Sequence, residues 1–91
     1  MTVSVRIPTI LRSYTGGTAV VSSAPGTVRD VIAGLDAAYP GIAGRLLDET
    51  GKLRRFVNVY VGEDDIRLAQ GLDTLVPAGG QVSVIPAVAG G

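Results

Sequence analysis

The chain has 91 residues, 46% of them hydrophobic and 18% charged, a balance that supports one apolar core and excludes a disordered polyelectrolyte. Eight basic residues offset eight acidic ones, so no overall field draws the chain to nucleic acid or to an anionic membrane. With no cysteine and no histidine, it has no disulfide, no thiolate nucleophile or metal ligand, and no side chain that titrates near neutrality unaided.

Val3, Val5 and Ile7 alternate with Ser4 and Arg6, the period-two pattern of a half-buried strand. The turn residues of "TGG" (15–17) and the following "TAVVSS" predict a return strand, with Ile10, Leu11, Arg12 and Tyr14 in the loop between. Ala24, Pro25 and Gly26 break the chain, and Thr27 is placed to cap a helix, with Asp30 supplying a shorter carboxylate than the usual Glu. Val28, Val31, Ile32, Leu35 and Tyr39 then recur at helical spacing, which predicts about three turns ending at Pro40. A short second helix is expected within "GIAGRLLDETGK".

"FVNVYV" is the clearest strand, with Val57, Val59 and Val61 on one face and Phe56, Asn58 and Tyr60 on the other. Gly62 to Asp65 are expected to form an acidic turn, Ile66 and Arg67 a short edge strand, and Leu72 to Leu75 a single helical turn. Glu63, Asp64 and Asp65 lack the spacing and length of a calcium loop, so no metal site is expected. The last strand is "QVSVIP". One mixed sheet packed across one main helix buries every apolar stripe, an α+β single domain in which the first and last strands lie side by side. Nothing resembles a secretion signal or a membrane span, and a cytoplasmic protein is the expectation.

The sequence closes on "VSVIPAVAGG". Two glycines there have two readings. One is a frayed end. The other is a slender, flexible tail (87–91) that passes through an opening too narrow for bulky side chains, after Pro86 has stopped the strand ladder. A carboxylate delivered that way is suited to attack the α-phosphate of ATP in another protein's active site.

Two further groups stand out. Arg54 and Arg55, with Arg67, are either a basic recognition edge or a solvated strand margin. Phe56, Tyr60 and Ile85 share the face opposite the inward valines, and either form an apolar partner surface or are covered by loop residues such as Ile10 and Leu11.

"VSVRIPTILR" at the start, "KLRRFVNVYVGEDDIR" in the middle and "VIPAVAGG" at the end, in that order, resemble the MoaD/ThiS family of ubiquitin-like sulfur carrier proteins, and within it most of all the CysO-type branch. The resemblance implies a β-grasp fold over residues 1–91 and a carrier that is not itself an enzyme. It implies that a partner activating enzyme of the E1-like MoeB, MoeZ or ThiF type uses ATP and magnesium to adenylate Gly91, with no cofactor bound by the chain. A rhodanese-type persulfide then supplies sulfur to give a thiocarboxylate. A sulfur-incorporating synthase accepts the tail, for cysteine or for thio-products such as thiosugars. On this reading Gly90 and Ala89 give reach and slimness, Val88 seats in a small apolar pocket, and Ala87, Phe56, Tyr60, Ile85, Arg54 and Arg55 meet partners. A ubiquitin-like modifier joined to lysines, a small subunit of molybdopterin synthase, and a scaffold with an incidental tail remain as alternatives.

Overall fold

The computed structural model describes residues 2–55 and 57–86. Strand β1 (Val3–Arg6) runs antiparallel to β2 (Val20–Ser23), and between them Thr9–Thr15 forms a 3-10 helix that ends on Gly16, whose positive φ of 66° lets the chain turn back. Helix α1 (Val28–Ala38) follows, then a one-turn α2 (Ala43–Leu46), β4 (Val57–Val61) and β7 (Gln81–Pro86). The short β5 (Asp64–Asp65) extends the sheet, and β3 (Gly26–Thr27) pairs with β6 (Leu75–Val76) in a separate ladder. The main sheet has the order β2-β1-β7-β4-β5, with β7 central, parallel to β1 and antiparallel to β4. The first and last strands are therefore neighbours, as expected from the sequence.

Alternation decides which face is covered. Val3 and Val5 of β1, Val57 and Val59 of β4, and Val82 and Val84 of β7 are buried against Val28, Val31, Ile32 and Leu35 of α1. Each such side chain contributes about 1.5–3 kcal/mol on leaving water, so the stripes fix the register of the sheet. Thr27 and Asp30 form a reciprocal capping box, each side chain bonded at 3.1 Å to the other's backbone N–H. The shorter carboxylate suffices. Gly34 lets α1 approach β2 closely, since a Cβ there would stand 2.9 Å from the Ser23 hydroxyl.

Three expectations are corrected. Ile66 and Arg67 do not form the edge strand: Asp64 and Asp65 do, pairing with Val61 and Tyr60, and Ile66–Leu68 is a 3-10 turn. The Asp65 carboxylate accepts from the Arg67 N–H at 2.9 Å, and Ile66 is fully buried, so the chain bends inward there instead of running on along the edge. The helical turn expected at Leu72 to Leu75 covers only Gly71–Asp73, because Leu75 belongs to β6. Leu11 and Ile10 do not cover the open sheet face either. Leu11 is buried in the core and Ile10 is 65% exposed.

Candidate functional site

The site is the rim where β7 ends. Ser83 and Ile85 alternate outward between the buried Val82 and Val84, and Pro86 closes the ladder opposite Val57. Proline has no N–H to donate, so regular pairing stops here by its chemistry. Because β1 is parallel to β7 and β4 is antiparallel to it, the end of β1 and the approach to β4 flank this point.

Two concavities meet at the rim and share Pro8, Ile10, Val84 and Pro86. One, of ≈ 400 Å³, is floored by Leu11, Leu46 and Val57 and edged by Tyr14 and Arg45. The Arg45 Nε donates to the Tyr14 hydroxyl at 2.7 Å, and its guanidinium carbon stands 6.0 Å from the ring centroid. The hydrogen bond to Tyr14 holds the Arg45 pKa above its ordinary value, and the guanidinium, charged in any case, is a fixed cation beside the rim. The other concavity, of ≈ 420 Å³, opens on the uncovered sheet face between Arg6, Arg12 and Ile85. The Arg12 Nε donates to the Ile7 carbonyl at 3.2 Å, and among the described residues neither Arg6 nor Arg12 has a carboxylate partner. Apolar hollows edged by guanidinium groups are suited to bind a partner surface that is apolar and anionic.

Of the residues singled out in the sequence, Gly91, Gly90, Ala89, Val88, Ala87 and Phe56 lie outside the described residues. Ile85 is half-exposed at the rim, as alternation predicts. Tyr60 shares its face, but Tyr60 lies opposite Ser83 while Ile85 lies opposite Asn58, so polar residues interrupt the apolar surface. The Arg67 guanidinium adds to the interruption by donating to the Asn58 Oδ1 at 2.7 Å.

The two remaining arginines divide. Arg54 forks onto the Gly44 carbonyl through Nε at 3.1 Å and Nη2 at 3.0 Å and so ties α2 to the approach to β4. Arg55 is exposed, and its side chain makes no hydrogen bond among the described residues. Neither a pure recognition edge nor a pure solvated margin describes them. Among the described residues no group of three or more acidic side chains is placed to hold a metal ion. No helix there is long and apolar enough to cross a membrane.

Sequence reading missed Pro8, Arg6 and the Tyr14–Arg45 pair as rim residues. The adjacency of the first and last strands was the available signal: it brings the loop after β1 to the end of β7. The Tyr14–Arg45 contact spans 31 residues and has no local signature.

With this geometry in hand, similarity to known proteins is informative. The sulfur carrier protein CysO of Mycobacterium tuberculosis is 50% identical over 93 residues, covering 100% of both chains. A chain in the crystal structure of the Amycolatopsis orientalis BexX/CysO complex superposes with a TM-score of 0.92 at 45% identity, covering 98% of this chain and 99% of that one. The small archaeal modifier protein 3 of Haloferax volcanii is 42% identical over 65 residues, 71% of this chain and 70% of its own. The fold is the β-grasp fold of the CysO structures. The ThiS family profile matches residues 5–91, and the chain belongs to that family.

Proposed function

We propose that the chain is a sulfur carrier protein that works through the carboxylate of Gly91. The observation that carries this reading is the 50% identity to CysO across the whole of both chains. The rim supports it: the central strand ends at Pro86 between two apolar hollows, and the segment beyond it is made of Ala, Val and Gly.

A Gly91 carboxylate oxygen attacks the α-phosphate of ATP in an E1-like enzyme, and pyrophosphate leaves. The acyl-adenylate is a strong electrophile. The outer sulfur of a persulfide then attacks the acyl carbon and AMP leaves, which gives an acyl disulfide. A thiolate attacks the donor's sulfur in that disulfide, and the S–S bond breaks. The terminus is released as a thiocarboxylate, and the two thiols are left joined as a disulfide. That anionic sulfur is consumed by a partner synthase in cysteine or thio-metabolite biosynthesis. ATP, magnesium and the catalytic groups belong to the partners, and the carrier's contribution is delivery. Docking on this reading uses the rim, with Ile85, Arg55 and the neighbouring open face turned to the partner. That a CysO forms a complex with BexX in Amycolatopsis orientalis supports a carrier that docks on another protein.

Gly90 and Ala89 matter for their size. A Gly90→Trp variant is expected to fold normally and to release less than about a tenth of the wild-type pyrophosphate when incubated with ATP and its activating enzyme. Undiminished release would refute threading of a narrow tail.

The likeness to small archaeal modifier protein 3 favours a second reading, in which the same adenylate is passed to lysine amines. Electrophoresis separates the two, because amide transfer yields new, heavier conjugates that alkali does not cleave, whereas sulfur transfer leaves the carrier at its own size.

A further inference from the structure

Among the described residues the most exposed large apolar side chains are not at the rim. Leu68 is 89% exposed and Leu75 70%, against 65% for Ile10 and 50% for Ile85. Both leucines line one concavity of ≈ 680 Å³ beside the β4–β5 turn, which Tyr60, Val61, Ala69 and Pro77 also line. The fold does not need leucine at either place. Ile66 fills the core from the 3-10 turn that Leu68 ends, and Val76 fills it from β6, which leaves Leu75 pointing outward by strand alternation. Scattered exposed leucines are ordinary, whereas two lining one hollow form an apolar patch of the kind found where a partner docks.

The charges around the hollow say what kind of partner. Glu63, Asp64 and Asp65 line it, and it has no basic lining residue. The Asp65 carboxylate is engaged with the Arg67 N–H. Those of Glu63 and Asp64 have no hydrogen-bond or ion-pair partner among the described residues, whose one ion pair is Arg29–Asp73. An anionic lipid surface is repelled by such a rim, while lysine or arginine side chains flanking an apolar stretch complement it.

Position gives the hollow its use. Val57, at one end of β4, pairs with Pro86 at the rim, and Val61 at the other end lines the hollow. Four strand steps separate them by roughly 13 Å, so a partner seated here leaves the rim free.

We propose that this hollow is a second docking surface, and that it takes an apolar segment of a partner protein flanked by lysine or arginine while the segment 87–91 is engaged elsewhere. The proposal does not depend on the chemistry at Gly91.

The test is a titration of the isotope-labelled full chain, followed by backbone amide NMR, with two synthetic amphipathic peptides. Both carry leucines at the same spacing, one with lysine and the other with glutamate at the remaining positions. The lysine peptide is expected to shift amides of residues 61–69 and 74–77, and the glutamate peptide to bind at least tenfold more weakly. The Leu68→Ser/Leu75→Ser variant is expected to lose at least tenfold in affinity for the lysine peptide. Glu63→Gln/Asp64→Asn, which keeps the leucines, is expected to bind both peptides alike.

Equal binding of both peptides to the wild-type chain would overturn the proposal. So would shifts centred on Ile10 and Ile85, or an affinity unchanged in the leucine variant. Self-association by sedimentation that disappears in the leucine variant would assign the hollow to a second copy instead, and would overturn it too.

Discussion

Arg67 shows how one side chain can hold the approach to the central strands. Its Nη1 donates to the Asn58 Oδ1 at 2.7 Å, and its Nη2 reaches the carbonyls of Arg54 at 2.8 Å and Arg55 at 3.4 Å. A planar fork serves these acceptors together, whereas an ammonium is a single point. Arg67→Ala is expected to lower stability by about 1 kcal/mol in thermal or urea unfolding, a figure already reduced for solvent exposure. Arg67→Lys should recover less than half of that, and full recovery would show that charge alone matters. From the sequence, Arg67 reads as part of an edge strand and of a basic margin. Its actual acceptors are backbone carbonyls 12 and 13 residues away and a side chain 9 residues away, which no local pattern encodes. Ile85 is different: its outward position follows from the alternation of Val82, Ser83 and Val84 alone.

At the scale of elements, the long periodic segments were legible because burial enforces their period. Helix α1 and strands β1, β4 and β7 follow from their apolar stripes. The β3–β6 ladder was not, since each strand is two residues long and Pro25 and Pro77 adjoin them. The ladder is continued by the Val28 N–H, which donates to the Thr74 carbonyl at 2.9 Å, a contact between segments 46 residues apart in sequence. The loop between α2 and β4 is organised by Asp48. Its Oδ1 accepts from the Thr50 hydroxyl at 2.6 Å and from the N–H groups of Thr50 and Lys52.

The Thr50 hydroxyl bond, then the Lys52 N–H, hold the Asp48 carboxyl below its ordinary pKa. A depressed carboxyl pKa stabilises the fold fully above the ordinary carboxylate range. That contribution is lost as pH falls from there through the lower, folded value. Hydrogen exchange at the amides of Thr50 and Lys52 is therefore expected to rise as the solution is acidified across that window, after correction for the intrinsic rate. In Asp48→Asn the same amides should start less protected and lack the acid-dependent step. A step of the same size in the variant would assign the effect to another group.

Taken whole, the molecule is neutral but polarised. Arg6 ends β1, Arg12 and Arg45 edge the rim hollows, and Arg54 and Arg55 lead into β4, so cations gather where β7 ends. Glu63, Asp64 and Asp65 lie at the other end of β4. A dipole of this kind orients an approaching partner without adding net charge, and its effect weakens with salt. The two ends of the fold thus differ: one leads into residues 87–91, for which we propose the reaction, and the other carries an acidic, leucine-lined hollow. The proposed role of the first end rests on a simpler claim, that sulfur is carried on the Gly91 carbonyl carbon. The direct measurement is the intact mass of the chain after incubation with ATP, magnesium, an E1-like activating enzyme, a persulfide donor and a thiol reductant. The account predicts a gain of about 16 Da, sulfur for oxygen, confined to the C-terminal peptide and absent from a chain whose terminus is an amide. An unchanged mass under conditions where ATP is consumed, or the same gain in the amidated chain, would contradict it.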